Sequence, residues 1–248
     1  MSKILAIIPA RFASTRFPGK PLADIAGKSM IRRVYEQVKK SKLLTKVVVA
    51  TDDKTIFDHV ISFGGLACMT SENHPSGTDR CYEALTAQKE TFDYVINVQG
   101  DEPFIAPEQI DLLASLLDGQ VKLATLIKAI DDEEQLFNPN VVRVVVNKSS
   151  EAIYFTRATV PFLRSTPKQD WLSKHIFHKH IGMYAYRADV LKEITALEIS
   201  SLEKAESLEQ LRWIENGYKI TVAISTTETI GIDTPEDLAR ALAFLKSN

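Results

Sequence analysis

The stretch ILAIIPARFASTRFPGKPL, residues 4–22, joins a short apolar run to a loop that carries three cations and three prolines. The run ILAII, closed by Pro9, is typical of a buried strand in a parallel sheet, because such strands are covered on both faces. A loop that directly follows such a strand lies where open α/β sheets bind their ligands. The stretch therefore predicts a strand and a binding loop in one segment.

Outward from this stretch, strand and helix periods alternate through the first half of the chain. The further strands are predicted at 46–50, 66–70 and 94–98, and helices are predicted after Gly27, around 56–63, over 78–88 and from Pro107. The order βαβαβαβαβ, reaching about residue 127, indicates a parallel sheet covered by helices on both faces. The fold class is therefore α/β.

The second half is less regular. Strands are predicted at 141–146, 152–157, 178–186 and 219–224, one amphipathic helix over 202–217, and a last helix with Thr234 as N-cap and Pro235 at its first position. No repeat or Gly/Ser linker divides the chain. We expect a single domain, mostly parallel, with a smaller mixed-sheet insertion in this half.

The composition and the net charge limit the classes of partner that the chain is expected to bind. The 248 residues are 45% hydrophobic and 25% charged, with a formal net charge of -2. A near-neutral chain provides no general field for nucleic acid or an anionic membrane, so neither is an expected partner. The two cysteines, Cys68 and Cys81, are typical of a reduced cytosolic protein. With no run of signal or membrane length, the expected location is the cytoplasm.

The positive charge of the loop is therefore local and suggests a site. The loop is not a Walker A loop, since Pro21 follows Lys20, and it lacks G-x-G-x-x-G. What remains is a set of cations and hydroxyls suited to a polyphosphate, because Arg binds phosphate oxygens bidentately and Lys acts as a point charge. The candidates are Arg11, Ser14, Thr15, Arg16 and Lys20.

A polyphosphate usually arrives with Mg²⁺, which prefers carboxylate oxygens and keeps several waters. Asp101 lies in NVQGDEP (97–103), where the fourth predicted strand ends. Asp233 lies in IGIDTPEDL (230–238), just before the capped helix. Both are candidate metal ligands. Each alone is equally compatible with a turn or capping carboxylate.

Motifs along the whole chain resemble one family. IIPARFASTRFPGKPL, ATDD, HPSGTDR, NVQGDEP, YFTRATVP, KHIGMYAYR, LEQLR and IDTPEDL occur in order between Ile7 and Leu238. This set resembles the 3-deoxy-manno-octulosonate cytidylyltransferases, the CMP-Kdo synthetases. The basic loop alone is shared by related sugar nucleotidyltransferases, whereas the full set is specific.

The resemblance implies a reaction and an organisation. CTP and the acidic eight-carbon sugar Kdo would give CMP-Kdo and pyrophosphate, with Mg²⁺ as cofactor, for the lipopolysaccharide inner core of Gram-negative bacteria. It also implies a Rossmann-like nucleotidyltransferase sheet. About 1–130 and 219–248 would form the nucleotide-binding core, about 131–218 the sugar-binding and dimerisation part, and the protein would be a homodimer.

The resemblance also implies residue roles. Arg11, Ser14, Thr15, Arg16, Lys20, Ser76, Gly77, Arg80 and Asp101 would bind CTP, and Asp101 with Asp233 would bind Mg²⁺. Gln99, Arg157, His180, Tyr184, Glu209 and Gln210 would receive the sugar. Arg11, Lys20, Gln99, Asp101 and Asp233 form the implied catalytic set. Arg157 would grip the sugar carboxylate with two hydrogen bonds, and His180 would donate to an oxyanion.

Two departures and two alternatives accompany this hypothesis. Asp79 replaces a Glu and Phe17 a Leu of the family pattern. A cytidylyltransferase for another acidic sugar, such as neuraminic acid, is a second enzyme hypothesis, which LEQLR and HIGMYAYR disfavour. A catalytically silent nucleotide-binding protein is the third; it would be expected to lose Asp101 and Asp233, which are both present. The choice between Kdo and 8-amino-Kdo stays open.

Overall fold

The computed structural model describes residues 2–13, 17–227, 229, 231–232 and 234–247. For residues 244–247 it describes the backbone alone. Within those residues the chain forms strands β1 (Ile4–Ala10), β2 (Asp24–Ile25), β3 (Lys28–Ser29), β4 (Lys46–Thr51), β5 (Ala67–Met69), β6 (Tyr94–Asn97), β7 (Leu123–Ala129), β8 (Arg143–Val146), β9 (Ala152–Thr156), β10 (His178–Arg187) and β11 (Ile220–Ile224). The helices are α1 (Met30–Val38), α2 (Lys54–Ser62), α3 (Gly77–Thr86), α4 (Pro107–Ser115), α5 (Glu133–Phe137), α6 (Trp171–Lys174), α7 (Ala188–Thr195), α8 (Ser201–Glu206), α9 (Gln210–Glu215) and α10 (Pro235–Ser247).

One large sheet organises the molecule. Its strand order is β11-β7-β10-β6-β1-β4-β5, with β8 and β9 continuing from β10. Neighbours along this order are parallel except at β10, which is antiparallel to both β6 and β7. The predicted α/β class with a mostly parallel sheet and a smaller mixed part is confirmed. The mixed part is continuous with the central sheet, because β10 lies inside it.

Two hydrophobic layers cover the two faces of this sheet. Along β1, Ile4, Ala6 and Ile8 face the layer that also contains residues of α1, α2 and α4. Leu5 and Ile7 face the opposite layer, with residues of α3, α7 and α9. Burial on both faces explains why the strand is a continuous apolar run and does not alternate with polar residues.

The carboxyl edge of the sheet gathers the segments singled out by the sequence. Ala10 at the end of β1 pairs with Thr51 at the end of β4, and β6 ends at Asn97, which pairs with Ile7 of β1. Since Tyr184 pairs with Asn97, residues 178–183 of β10 extend past the end of β6. This part of β10, paired with β7, therefore extends beyond the carboxyl end of β6.

The predicted last helix is confirmed at its start. Helix α10 begins at Pro235. The backbone N–H of Asp237 donates to Thr234 Oγ1 at 3.2 Å, while the N–H of Thr234 donates to Asp237 Oδ2 at 2.9 Å. This reciprocal arrangement satisfies two backbone donors that the helix itself cannot pair.

The single helix predicted over 202–217 is wrong. Two short helices, α8 and α9, replace it, with Ser207 between them at a φ of 53°. Arg212 on α9 donates to both carboxylate oxygens of Glu203 on α8, at 2.8 and 3.0 Å. This buried pair stabilises the bend, which brings the start of α9 to the site.

Other elements were not predicted. The hairpin of β2 and β3 and helix α7 have no counterpart among the sequence-based expectations, although α7 packs Val190 and Leu191 into the core. Among the described residues, no helix is both long enough and apolar enough to cross a membrane.

Candidate active site

The basic loop and the acidic loop meet at the carboxyl edge of β1 and β6. Lys20 opens a short 3-10 turn just after Gly19, whose φ of 70° suits glycine. Its Nζ donates to Asp101 Oδ2 at 2.8 Å. Two residues singled out from separate motifs, 81 positions apart, are therefore in direct contact. Arg11, exposed, leaves β1 on the same edge.

The loop at 99–101 packs tightly on the end of β1. A Cβ added at Gly100 would lie 2.6 Å from the carbonyl oxygen of Pro9, a distance that real Cβ atoms do not show. Only glycine fits at this close approach. Beside it, the Cγ of Gln99 lies 3.9 Å from the Cβ position of Gly182 on β10. Gln99 thus stands between the ends of β1 and β10.

Four of the predicted site residues, Ser14, Thr15, Arg16 and Asp233, lie outside the described residues, and their roles stay predictions. The described neighbour of Asp233 is informative. The N–H of Ile232 donates to the carbonyl oxygen of Asp101 at 2.9 Å. The chain leading into residue 233 is therefore tied to the acidic loop.

Helix α3 directs its first turn toward the same edge. Ser76 is its N-cap: its Oγ accepts from the N–H groups of Thr78 and Asp79 at 3.1 and 3.2 Å and donates to Asp79 Oδ2 at 2.6 Å. Gly77 begins the helix, and a Cβ there would lie 3.7 Å from Pro9 Cγ. A helix N-terminus favours anions, so this end suits phosphate.

Arg80 lies deeper than a ligand-binding arginine would. Its side chain is 1% exposed, Nη2 donates to Asp52 at 2.7 Å, and Nη1 donates to Thr70 Oγ1 at 2.6 Å. Asp52 and Thr70 follow β4 and β5. In this arrangement Arg80 links the carboxyl ends of β4 and β5. Its predicted contact with CTP stays a prediction.

On the other side, helix α9 begins at the buried Gln210, and Glu209 is its N-cap. Thr78 Oγ1 donates to Glu209 Oε2 at 2.9 Å. Burial raises the pKa of Glu209, and the hydroxyl of Thr78 opposes that rise by stabilising the carboxylate. Through Thr78, helix α3 thus fixes the carboxylate of Glu209, one of the residues expected to receive the sugar.

His180 lies on β10 next to Tyr184 and Phe155, whose ring centroids are 5.0 and 5.2 Å from its own. Burial lowers the pKa of His180 to about 3, so the ring is neutral at any ordinary pH. Its Nε2 lies 2.9 Å from Thr125 Oγ1. The expectation that His180 donates to an oxyanion is therefore wrong for Nε2, whose partner is a threonine of β7.

The hydroxyl of Tyr184 is buried and has no hydrogen-bond partner among the described residues. The same holds for Oδ1 of Asn97, the residue paired with it on β6. Buried polar atoms normally have partners, and exceptions call for an explanation. Here the two unpaired polar atoms belong to residues that pair across β6 and β10.

Arg157 follows β9 but is already occupied. Its Nε donates to the carbonyl oxygen of Glu206 at 2.8 Å, and its Nη1 donates to that of Pro139 at 3.2 Å. These bonds engage Nε and Nη1, and the expected two-bond contact of Arg157 with a sugar carboxylate stays a prediction. The contacts tie Arg157 to the end of α8.

A polar cavity of about 520 Å³ lies beside the acidic loop. His180 and Gly182 of β10, Lys128 of β7, Glu102 and Thr229 are among its lining residues. Burial, followed by the negative charge of Asp101, raises the pKa of Glu102 to about 7. A larger cavity of about 880 Å³, lined by Tyr94 and Arg187 among others, lies at the opposite edge of the sheet, away from the strand ends where α/β sheets bind ligands.

The donors present fit Mg²⁺. Among the described residues, no three His, Cys, Asp or Glu side chains are grouped to hold a metal. Mg²⁺ needs no such group when substrate phosphates and waters complete its shell around one or two carboxylates. Asp101, whose side chain is 31% exposed, can provide one. Beside it, Glu102 is less easily ionised, because burial and then the charge of Asp101 raise its pKa to about 7.

Sequence reasoning missed several residues. Thr125, Thr78 and Asp52 form hydrogen bonds with His180, Glu209 and Arg80, respectively. Thr78 and Asp52 stand inside the quoted motifs HPSGTDR and ATDD. Thr125 had one usable signal, a hydroxyl in the otherwise apolar run LATLI at 123–127.

Comparisons with known proteins agree with the family resemblance drawn from the motifs. A family model described as Cytidylyltransferase matches residues 5–220. Proteins named 3-deoxy-manno-octulosonate cytidylyltransferase are similar to the chain: one from Cytophaga hutchinsonii is 61% identical over 96% of this chain and 95% of that protein, and one from Parabacteroides distasonis is 59% identical over 99% of each. A solved structure of CMP:2-keto-3-deoxy-manno-octonic acid synthetase complexed with CTP superposes with a TM-score of 0.92 at 41% identity, covering 99% of both chains.

Proposed function

The chain belongs to the cytidylyltransferase family, and from that premise we propose that it transfers the cytidylyl group of CTP to Kdo, giving CMP-Kdo and pyrophosphate. The relatives of the same name cover nearly the whole chain, and the similar solved structure is complexed with CTP. The resemblance drawn from the motifs is confirmed. The product assigns the protein to lipopolysaccharide biosynthesis.

One observation carries the assignment of the site: Lys20 and Asp101 meet at 2.8 Å on the carboxyl edge of the sheet. A cation for phosphate and a carboxylate for a metal are thereby brought to one point. The first turn of α3 faces the same edge, so its backbone N–H groups add donors for phosphate oxygens.

In the proposed mechanism, the anomeric hydroxyl of the sugar attacks the α-phosphorus of CTP in line with the departing pyrophosphate. Such a transfer depends on positioning and charge neutralisation more than on covalent chemistry. In this mechanism Lys20 would neutralise the charge that develops on the leaving pyrophosphate. Arg11 and, from the sequence, Ser14, Thr15 and Arg16 extend this phosphate-binding loop.

Asp101 and Asp233 would hold Mg²⁺, Asp233 on the strength of the sequence alone. When bound, the ion supplies charge neutralisation at the α-phosphate and lowers the pKa of the attacking hydroxyl. The protein's own residues orient the sugar. Gln99, which lies beside Gly182, and Glu209, whose carboxylate accepts from Thr78, would contact the sugar.

We also propose a cytoplasmic homodimer that pairs through the 131–218 part. Phe162, Ile176 and Ile153 in that part are 72%, 66% and 53% exposed, and exposed large apolar side chains are typical of interaction surfaces. Sedimentation of the wild type and of Phe162→Ser tests the pairing: a monomeric wild type contradicts it.

Pyrophosphate release tests the function. CTP with Kdo and Mg²⁺ should release pyrophosphate, and ATP, GTP or UTP should release far less; N-acetylneuraminic acid should not replace Kdo, and 8-amino-Kdo shows how selective the distal end is. EDTA should stop the reaction. Equal rates with ATP, turnover in EDTA, or a preference for neuraminic acid would contradict the proposal. Lys20→Ala, which removes the cation proposed to bind phosphate, should slow this release. Lys54→Ala, which removes an exposed lysine of α2, is its control.

A further inference from the structure

The hydrogen bonds around Thr125 define which nitrogen of His180 carries the proton. Thr125 Oγ1 lies 2.7 Å from the carbonyl oxygen of Met183 and 3.3 Å from that of Ile181. Carbonyl oxygens only accept, and a threonine hydroxyl has one proton to give. That proton is directed to Met183, so toward His180 the hydroxyl oxygen acts as an acceptor.

His180 must then be the donor across its 2.9 Å contact with Thr125. A neutral imidazole carries one N–H, and here it is on Nε2. The other ring nitrogen, Nδ1, keeps its lone pair. Within the described part of the chain Nδ1 makes no hydrogen bond, and it is absent from the buried polar atoms that lack a partner. It is therefore accessible.

A β-bulge explains why a threonine stands at this place. The pairing of β7 with β10 shifts between Ile181 and Tyr184, at the register position of Thr125. A bulge leaves main-chain groups without ladder partners and redirects the side chains beside it. The fully buried Thr125 satisfies a carbonyl of the bulge and, with the same oxygen, holds the ring that precedes it.

We propose that Thr125 is a positioning residue, which fixes His180 as the Nε2–H tautomer so that Nδ1 accepts a hydrogen bond from a hydroxyl of the sugar substrate. The inference rests on the proposed function for the identity of the sugar. His180 lines the polar cavity beside the acidic loop, and a sugar offers hydroxyl donors there. An acceptor at this point selects a hydroxyl and disfavours a carboxylate, whose lone pairs would face that of Nδ1.

Nitrogen NMR of the full-length protein, with ¹⁵N-labelled histidines, tests the tautomer without any substrate. The wild type should show His180 as a neutral ring with the proton on Nε2 from pH 5 to pH 8. Assignment uses the spectrum of His180→Gln, in which the signals of this ring disappear. An Nδ1–H tautomer or a cationic ring in the wild type would overturn the proposal whatever the activity.

Kinetics test the role. Thr125→Val keeps the shape but removes the acceptor; KM for Kdo should rise about tenfold, on the scale of one lost hydrogen bond, and KM for CTP should stay within about twofold. Thr125→Ser should restore the wild-type KM and tautomer. Thr221→Val, a strand threonine on β11, controls for loss of a hydroxyl elsewhere.

The outcomes are distinguishable from a failure of the proposed function. If Kdo is not a substrate, the wild type releases no pyrophosphate with it, and the sugar that does turn over replaces Kdo in the same KM comparison. If Thr125→Val abolishes the Nε2–H tautomer yet leaves the sugar KM unchanged, the positioning role is overturned. Should Thr125→Val not fold, His180→Asn takes its place in the kinetic test, because the Asn amide oxygen can occupy the position of Nδ1 and accept the same hydrogen bond. A sugar KM that rises as much in His180→Asn as in His180→Gln would contradict an accepting Nδ1.

Discussion

The two sides of the site are built in different ways. The nucleotide side consists of charges on loops that directly follow parallel strands, with Lys20 and Asp101 in contact at 2.8 Å. The sugar side consists of half-buried polar groups held by other elements: His180 by Thr125 across β10 and β7, and Glu209 by Thr78 of α3. Loop charges can follow a flexible polyphosphate, whereas hydroxyl recognition needs fixed donors and acceptors.

The largest effect is expected beneath the nucleotide side, where a charge is buried. Arg80→Met leaves Asp52 without its partner, and removing one member of a buried pair costs about 3–5 kcal/mol of unfolding free energy. Urea denaturation measures it. Arg187→Met, which breaks an exposed pair with Asp189, should cost at most about 1 kcal/mol. Equal losses in the two variants would mean that Arg80 does not brace the strand ends.

Asp101→Asn sharpens the comparison at the loop charges. Asn keeps the shape but removes the anionic oxygen that Mg²⁺ prefers, so kcat should fall by about 10²–10³-fold, the scale of one lost charge-stabilising group. Pyrophosphate release at rising Mg²⁺ measures it, and the Mg²⁺ requirement should increase. Asp58→Asn is the matched control, because Asp58 also pairs with a lysine, Lys54, and both side chains are exposed on the surface of α2. Wild-type turnover of Asp101→Asn would remove it from the metal site.

A smaller effect is expected where the two sides touch. Thr78→Val removes the hydroxyl that opposes the raised pKa of Glu209, so that pKa should rise further. Less of Glu209 is then ionised at a given acidic pH, and the acidic limb of kcat/KM for Kdo should move to higher pH. KM for Kdo should rise several-fold, about 1 kcal/mol. Thr78→Ser should keep the wild-type profile; a limb that moves to lower pH would contradict the role of Thr78.

The same contrast explains what the sequence could predict. Lys20 and Asp101 each follow an apolar strand closely, so the rule that ligands bind at the carboxyl ends of strands brings them together. The partners of the sugar side are 55 residues apart for Thr125 and His180 and 131 apart for Thr78 and Glu209. No local period reports such pairs, and only the family resemblance pointed to His180 and Glu209.

Tertiary contacts also decided the element that the sequence misassigned. The helical period continues through 202–216 without Gly or Pro, so nothing local indicates the break at Ser207. The buried pair of Arg212 with Glu203 and the seat of Glu209 against Thr78 favour two helices over one. The main-chain acceptors of Arg157, at Glu206 and Pro139, also come from distant segments and have no local signal in the sequence.

The most direct measurement crosses the two sides with the two substrates. Initial rates of pyrophosphate release give KM for CTP and KM for Kdo in Lys20→Ala and in His180→Gln, each substrate varied with the other saturating. Lys20→Ala should lose about 2–4 kcal/mol of transition-state stabilisation toward CTP and leave KM for Kdo within about twofold. His180→Gln should raise KM for Kdo about tenfold and leave KM for CTP unchanged. The reverse pattern, with Lys20→Ala affecting only Kdo or His180→Gln affecting only CTP, would contradict the division of the site into a nucleotide side and a sugar side.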